Sequence, residues 1–391
     1  MKLFGYKREN GTFGIRNHIL VIPTSVCAAD TASKIASQVD GAIAIPNQHG
    51  CCQIGSDMSQ TERTLAGFGK NPNVGAVLVV GLGCDGIQAG SLAEDIAQTG
   101  KPVKHLVIQE QHGTLNTISE GGKILRELAQ KISGQEREEF DISHLTVALE
   151  CGGSDPTSGI AANPTIGIAS DRICKMGGST ILSETTEVIG AEHLLAKRFI
   201  DDKEKEKFLG FVHDVEQRAL DLGEDLRSGQ PTPGNKAGGL TSIEEKSLGC
   251  MHKAGSAPFV GALEYAEPID YNKRGLYFMD SPGQDIDSNT GMVASGAQII
   301  LFSTGRGTPT GNPIAPVIKI TGNPDTYEIM KDNLDMNMGR IISEGATLEQ
   351  MGDELMEEIE KVANGKKTKS EALGHKEFGI FKVTGTFWSN Y

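Results

Sequence analysis

The sequence predicts an α/β protein built as two Rossmann-like units, with mainly parallel sheets, helices on both faces and long glycine-rich loops. Three observations carry this expectation. Short apolar, strand-like runs alternate with helical patterns, which is how parallel strands joined by crossover helices read. Glycine is enriched, at 49 of 391 residues against a usual ~7%, and it clusters after the apolar runs, where backbone must bend sharply or approach a ligand. The chain is also long enough for more than one domain with its own core.

The elements follow in order. "HILVIPT" (His18–Thr24) leads into a helix near Ala28–Val39, and "GAIAIP" (Gly41–Pro46) into one near Ser59–Phe68. "GAVLVVGLG" (Gly75–Gly83) precedes a helix near Gly90–Gln98, and "VKHLVIQE" (Val103–Glu110) a longer one near Gly113–Ile132. These units form a first domain, residues 1–135. The polar stretch Ser133–His144 reads as a linker to a second domain, residues 144–391. There "LTVALECGGSD" (Leu145–Asp155) precedes a helix near Ala161–Met176 and a strand in "STILSET" (Ser179–Thr185). A charged helical region spans Ala191–Leu226, and Ser228–Leu240 is irregular by composition. Strands at Leu276–Met279, Ile299–Ser303 and Val317–Thr321 and a helix at Thr347–Ala363 complete the pattern.

Composition excludes some classes of function. A formal charge of −14 argues against nucleic acid or an anionic membrane as the main partner. "MKLFGYKRENGTFG" lacks the apolar core of a signal peptide, and no apolar run approaches the ~18 residues of a membrane helix. A cytoplasmic protein is expected, with Cys27, Cys51, Cys52, Cys84, Cys151, Cys174 and Cys250 as reduced thiols.

Loops at the carboxyl ends of parallel strands are where such sheets bind ligands. His49, Cys51 and Cys52, in "IPNQHGCCQIGSD", lie past one strand, Cys84 past the next, and Cys151 at the end of another. Glycine-flanked cysteines so placed can converge on one iron or an iron–sulfur cluster, since thiolate suits both; the alternative is that each is a small buried hydrophobe. Cys27, Cys174 and Cys250 read as packing residues. "GLGCDG" (Gly81–Gly86) is a G-x-G-x-x-G after a strand, with Glu110 about where a dinucleotide site wants an acid, but Cys84 and Asp85 are poor neighbours for a pyrophosphate. "FSTGRGTPTGNP" offers backbone amides, Thr308 and Arg306 to a carboxylate or phosphate. "PGNKAGG" places Asn235 and Lys236 among small residues, and "SETTEVIGAEH" sets Glu184, Glu187, Glu192 and His193 around a helix start, where carboxylates can equally serve the helix dipole.

Taken together, "GYKRENGTFGIRNHILV", "RTLAGFGKNPNVGAVLVVGLGCD", "CGGSDPTSGIAANPTIGIASD", "ILSETTEVIGAEHLL", "PTPGNKAGGLTSIEEKSLG", "MDSPGQDIDSNTGMVASGAQIILFSTGRGTPTG" and "KTKSEALG" resemble the altronate/galactarate dehydratase family over nearly the whole chain. The resemblance implies a hydro-lyase that removes water from a hexonate or hexarate to give a 2-keto-3-deoxy acid, with Fe2+ required, or Mn2+ or an iron–sulfur cluster in its place. Sulfolactate sulfo-lyase is a relative that eliminates sulfite. Full-length members carry a small N-terminal domain, so the resemblance implies a separate small subunit beside a homo-oligomer of this chain. Many relatives have a histidine at the place of Asn47; here His49 follows two residues on. Cys51, Cys84 and Cys151 match, which favours the dehydratases over the sulfo-lyases, in which the first two are expected to be replaced. The expected metal ligands are Cys51, Cys84, Cys151 and His49. Lys236 and His193 lead as acid–base groups, with Glu184 and Glu187 behind them, and Arg16, Asn17, Asn235, Arg306 and Thr308 are expected to hold the sugar acid, although Arg16 could equally form a structural ion pair.

Overall fold

The structure, a computed structural model, describes residues 1–384. Strands β1 (Leu3–Lys7) and β2 (Phe13–Gly14) form an antiparallel hairpin. Four parallel strands follow, β3 (His18–Pro23), β4 (Ala42–Ala44), β5 (Val74–Gly81) and β6 (Val103–Val107), in the spatial order β4-β3-β5-β6. Strand β7 (Glu138–Phe140) returns to pair with β1. A second parallel sheet contains β8 (Thr146–Gly152), β9 (Ser179–Leu182), β10 (Phe259–Leu263) and β11 (Leu276–Met279). It is completed by β12 (Ile299–Thr304), β13 (Val317–Thr321) and β14 (Met336–Asn337), in the order β10-β11-β9-β8-β12-β13-β14.

Strands β5, β8 and β12 are buried along their whole length. That is why they read as continuous apolar runs rather than as alternating ones: both faces of the sheet are covered. On the first sheet, Ile19, Val21, Leu78 and Val80 pack under helices Val26–Ala36 and Thr114–Ser133. On its other face Leu20, Ile22, Val77 and Val79 meet helices Gly55–Lys70 and Ala89–Ala97, and that core runs on without a break to Ala148, Ile181, Ile300 and Phe302 of the second sheet. A third core, on the far face of the second sheet, lies under helices Asn163–Lys175 and Leu348–Ala363 and also takes in Leu3, Phe13 and Phe140.

Three departures from the expected elements have physical reasons. Part of the polar stretch 133–144 is a strand, β7, because an edge position needs only one buried side chain, Phe140. Helix Asp285–Ala294 went unread since its Ser288, Asn289 and Thr290 are polar yet buried, which hides its period. The region Ser228–Leu240 carries short helical turns, Leu226–Gly229 and Pro233–Ala237, the second capped by Thr232. Among the described residues no helix is long and apolar enough to cross a membrane.

The two sheets are joined by a polar seam within the shared core. Asn71 Nδ2 donates to the carbonyls of Val293 and Ala297, both at 2.9 Å. Asn73 Nδ2 donates to Gln298 O (2.9 Å) and Ile314 O (3.0 Å), while its Oδ1 accepts from Ile15 N. Gly67 lies so close to helix Asp285–Ala294 that a Cβ would stand 2.4 Å from Ala294 O. Asn73→Ala removes three hydrogen bonds and orphans buried carbonyls, each loss costing about 1–3 kcal/mol. Urea unfolding should therefore show a stability loss of roughly 3 kcal/mol or more; a loss under about 1 kcal/mol would show that the seam is not a determinant of the domain junction.

Candidate active site

The second sheet delivers a cluster of charged and sulfur-bearing side chains to its interior. Strand β8 ends in Glu150 and Cys151, exposed by 0% and 3%. After β9 the backbone turns through Glu184, which holds a left-handed φ of 72° and donates its N–H to Ser281 Oγ at 2.9 Å. A non-glycine residue in that region is uncommon and strained; here it turns the Glu184 carboxyl inward. One 3₁₀ turn later comes Glu187. Facing them is helix Ile243–Met251, capped by Ser242, with a 3₁₀ turn at His252–Ala254. Lys246, Cys250 and Lys253 recur at i, i+4 and i+7 and so share one face. Asp285 opens the helix Asp285–Ala294.

The contacts within the cluster are short. Cys151 Sγ is 3.4 Å from Cys250 Sγ and 3.5 Å from Glu184 Oε2. Cys250 Sγ donates to Glu187 Oε2 at 3.1 Å. Lys253 Nζ is 3.0 Å from Glu184 Oε2, and Lys246 Nζ is 2.7 Å from Glu187 Oε1. Ser288 Oγ donates to Glu150 Oε2 at 2.6 Å, while Glu150 Oε1 is buried with no hydrogen-bond partner. Four carboxyl groups thus meet two ammonium groups.

This imbalance sets the protonation states. Burial, and then the Glu184 charge, push Glu150 well above the carboxylate range. Asp285 is raised to about 7, by burial first and by Glu184 and Glu187 next. For Lys253 burial opposes the charge, but Cys151, Glu184 and Cys250 outweigh it and hold the ammonium well above its ordinary value. Lys246 goes the same way, burial being overcome by Glu187. Cys250 is raised by its bond to Cys151 and by burial, which keeps it a thiol.

A cleft of about 220 Å³ reaches this cluster, with Lys246, Cys250, Asp155, Asn163 and His252 in its wall. Three loops meet at its side. Asn235 Nδ2 donates to Ser154 O (3.1 Å), Arg306 Nη1 to Gly234 O (3.2 Å), and Arg306 N to Gly153 O (3.2 Å). Asp155, buried, accepts from Thr157 Oγ1, Ser158 N and Asn323 Nδ2 and so holds the turn after β8 in place. Thr308 bonds Thr310 at 2.8 Å, on a loop propped by Lys319, whose Nζ donates to Pro309 O.

The first domain holds a separate thiol group. Cys27 follows β3, Cys51 and Cys52 follow β4, Cys84 follows β5, and all four are exposed. Cys51 and Cys52 sulfurs are 3.7 Å apart. The hydrogen bond to Cys52, some burial, and then the charges of Cys52, Cys27 and Cys84 raise Cys51 above its ordinary value. The amides of Leu82 and Gly83 are spent on Asp85 Oδ2, so the glycine turn has no free phosphate cradle there.

Several expectations need correction. Among the described residues, two groups of potential ligand atoms lie within 4.8 Å of one another: Cys151, Glu187 and Cys250, and Glu150, Glu184 and Asp285. The expected Cys51, Cys84 and Cys151 set is neither. Cys151 belongs to the second-domain cluster, and Cys51 and Cys84 stay with the first-domain thiols. His49 turns its Nε2 to Ile380 O at 3.2 Å. Arg16 grips Glu371 at 2.8 and 2.9 Å and donates to the carbonyls of Ile15, Val362 and Lys366, so its donors are used in the architecture. Asn17 accepts from Arg8. Lys236 and His193 are exposed, and neither contacts the cluster. Glu184 and Glu187 are in it. Asn235 and Arg306 stand at the cleft loops, with Thr308 further along the same segment as Arg306. Cys250, read as a packing residue, is at the centre; Glu150, Lys246, Lys253 and Asp285 went unnoticed. The signal for three of these was the helical spacing in "KSLGCMHK".

Fold and site together define a parallel α/β enzyme with a buried acid–base cluster at strand ends. Family profiles described as "D-galactarate dehydratase/Altronate hydrolase, second domain" and "D-galactarate/Altronate dehydratase, C-terminal" match residues 5–133 and 142–386. The (2R)-sulfolactate sulfo-lyase subunit beta of Chromohalobacter salexigens is 41% identical over 97% of both chains. The altronate dehydratases of Bacillus subtilis and Escherichia coli are 34% and 36% identical, over 97% and 96% of this chain and 77% of theirs. The chain belongs to the D-galactarate/altronate dehydratase family. It is a lyase: its relatives are dehydratases and a sulfo-lyase.

Asp285 yields a pH test. Its folded pKa of about 7 lies above the ordinary aspartate value of 3.8, so between these values the unfolded chain binds fewer protons and stability falls as pH rises. Asp285→Asn removes that loss. Its Tm should exceed that of the parent at pH 8 and match it near pH 4; equal Tm values at both would show that Asp285 is not held protonated.

Proposed function

We propose that this chain eliminates water from a sugar acid, altronate first among the candidates, taking the proton from C2 and expelling the C3 hydroxyl. The enol so formed ketonises to a 2-keto-3-deoxy acid. The observation that carries this is the pairing of buried carboxylates with buried ammonium groups beside a cleft. Proton loss beside a carboxylate makes a dianion, which preorganised positive charge stabilises most in a water-poor site. Lys246 and Lys253 supply such charge. Glu187, ordered by Lys246 and Cys250, is the base for the C2 proton, and Glu184 is next in line. Arg306 and Asn235 bind the substrate's carboxylate and hydroxyls, with Thr308 further along the same segment as Arg306; the exposed Lys236 and His193 take no part in the proton transfer.

Fe2+, or Mn2+, fits the second-domain cluster. Glu150, Glu184 and Asp285 offer oxygen ligands, and the partnerless Glu150 Oε1 is an atom that a cation would satisfy. A bound cation supplies Lewis-acid polarisation of the substrate carboxylate. Cys151 and Cys250 with Glu187 form a softer alternative set beside it.

A second reading is elimination of sulfite from sulfolactate. It needs the same C2 proton removal, and the 41% identity over nearly all of both chains favours it; against it stands the expectation from the family resemblance that sulfo-lyases replace the cysteines at Cys51 and Cys84. That relative's designation as a beta subunit also supports a separate small subunit working with this chain, itself a cytoplasmic homo-oligomer.

The test is an anaerobic assay of the iron-loaded protein on altronate, galactarate and sulfolactate, reading 2-keto acid and sulfite. Keto acid from altronate without sulfite release is expected; sulfite from sulfolactate alone would assign the second reading, and no product from any of them would defeat both. Glu187→Gln should lower kcat by about 10²–10⁴-fold with the circular dichroism unchanged, whereas Lys236→Ala should leave kcat within tenfold. The reverse pattern would return the base to Lys236.

A further inference from the structure

We infer that Cys51 and Cys52 form a redox couple, which a low-molecular-weight disulfide such as oxidised glutathione closes into a ring between neighbouring residues and a thiol reductant reopens. The couple is a modification site of the first domain, apart from the acid–base cluster of the second.

Access is the first observation. Unpaired cysteine is among the most buried residue types because it packs as a small hydrophobe, yet both of these thiols are exposed, in the loop that follows β4. Thiols that respond to oxidants are accessible ones with a second thiol in reach. Here the second thiol belongs to the adjacent residue. Successive side chains of extended backbone point to opposite sides. Cys52 instead has a left-handed φ of 53°, and its sulfur lies 3.7 Å from that of Cys51. Cys27 and Cys84 are exposed too, but neither bonds another sulfur among the described residues.

The flanks hold the pair in this arrangement. Val26 N donates to His49 O at 2.9 Å, and Gly86 N to Gly50 O at 3.0 Å. Gly50 N donates to Gln53 Oε1 at 2.9 Å, which spans the two cysteines. Gln53 Nε2 in turn donates to Thr61 Oγ1 at 3.0 Å, on helix Gly55–Lys70. Gly50, at φ 89°, lies where a Cβ would be 1.9 Å from Thr24 O, so the loop is pressed against the residue after β3. Anchored on both sides, the sulfurs stay within reach of a bond of ~2.05 Å.

Adjacency also makes that bond reversible. Ordinary disulfides join Cα atoms about 4.4–6.8 Å apart, whereas consecutive Cα atoms are fixed about 3.8 Å apart. The ring is therefore strained, and strained, exposed disulfides are the labile ones. Such spacing suits a couple that opens and closes rather than a structural bridge.

The chemistry is two thiol–disulfide exchanges. One sulfur of the pair, as thiolate, attacks oxidised glutathione; a bond to the protein sulfur forms, the glutathione S–S bond breaks, and the glutathione thiolate leaves and takes up the proton. The neighbouring sulfur then attacks the protein-bound sulfur of this mixed disulfide. The second glutathione leaves with its proton. Two protein thiols are oxidised, and one glutathione disulfide is reduced to two thiols.

The experiment treats the reduced full chain, kept anaerobic, with oxidised glutathione, blocks the remaining thiols with N-ethylmaleimide and maps the peptides by mass. The peptide holding Cys51 and Cys52 should lose two hydrogens, carry neither glutathione nor maleimide, and regain both thiols in dithiothreitol. Cys27 and Cys84, with no thiol beside them, should keep glutathione or stay free. In at least one of the variants Cys51→Ser and Cys52→Ser, the remaining thiol should retain glutathione at least tenfold more than in the parent, because nothing expels it. Retention in neither variant would overturn the couple. So would glutathione kept on Cys51 or Cys52 of the parent, a bond from either to Cys27, Cys84 or a second chain, or a pair that stays reduced throughout. The readout is mass rather than turnover, so failure of the couple is separable from failure of the proposed elimination.

Discussion

The fold depends on how its two parallel sheets are held together, and the turn Asn71–Asn73 does that work. Apolar contact between the sheets is large but non-directional, and it tolerates sliding. Four amide-to-carbonyl hydrogen bonds from Asn71 and Asn73 do not, because each buried carbonyl they satisfy on Val293, Ala297, Gln298 and Ile314 would be costly to leave alone. Gln298 extends the seam by accepting from Thr146 N and donating to Phe13 O. The same few residues therefore fix the start of β8, the N-terminal hairpin and the first sheet relative to one another. Glu150 and Cys151 lie at the other end of β8, so their positions inherit that registry.

The interior cluster is the counterpart of this rigidity. Burying Glu150, Glu184, Glu187 and Asp285 with only Lys246 and Lys253 nearby is unfavourable unless some acids keep their protons or a cation arrives. A protein selected for stability alone would fill the space with apolar side chains. Strain at Glu184 points the same way, since a left-handed glutamate persists only where its surroundings impose it. The hydroxyls of Ser281 and Ser288 are the imposing groups, bonding the Glu184 amide and the Glu150 carboxyl.

Much of the architecture was legible because β5, β8 and β12 are buried from end to end and mainly apolar, and the glycine loops after them marked the functional edge. What escaped reading was polar material that is buried. Helix Asp285–Ala294 looks like a loop in sequence, since its Ser288, Asn289 and Thr290 are polar yet buried, Ser288 bonding Glu150 and Thr290 accepting from Gly379 N. The cysteines misled for a related reason. Strand-end position was legible, but not which strand ends meet: Cys151 and Cys84 occupy equivalent places on two different sheets. Cys250 sits on a helix, where a thiol reads as packing, and its meaning emerges only with Lys246 and Lys253 on the same face. Arg16 was legible as a sugar-acid ligand or a structural ion pair, but not which of the two, because its partner Glu371 is some 355 positions away.

The end of the described chain crosses back to its beginning. Gly379 N bonds Thr290 Oγ1, Ile380 O meets His49, and the amides of Val383 and Thr384 bond Asp57, on the helix that follows the Cys51 loop. Near the other terminus Arg16 is clasped by Glu371. During synthesis on the ribosome the first domain emerges hundreds of residues before these partners exist. The loops at its functional edge are closed only when residues 379–384 leave the exit tunnel. Closure of that edge is thereby timed to the synthesis of a segment more than 300 positions further along, and a nascent chain arrested short of Gly379 would lack the contacts to Thr290, His49 and Asp57.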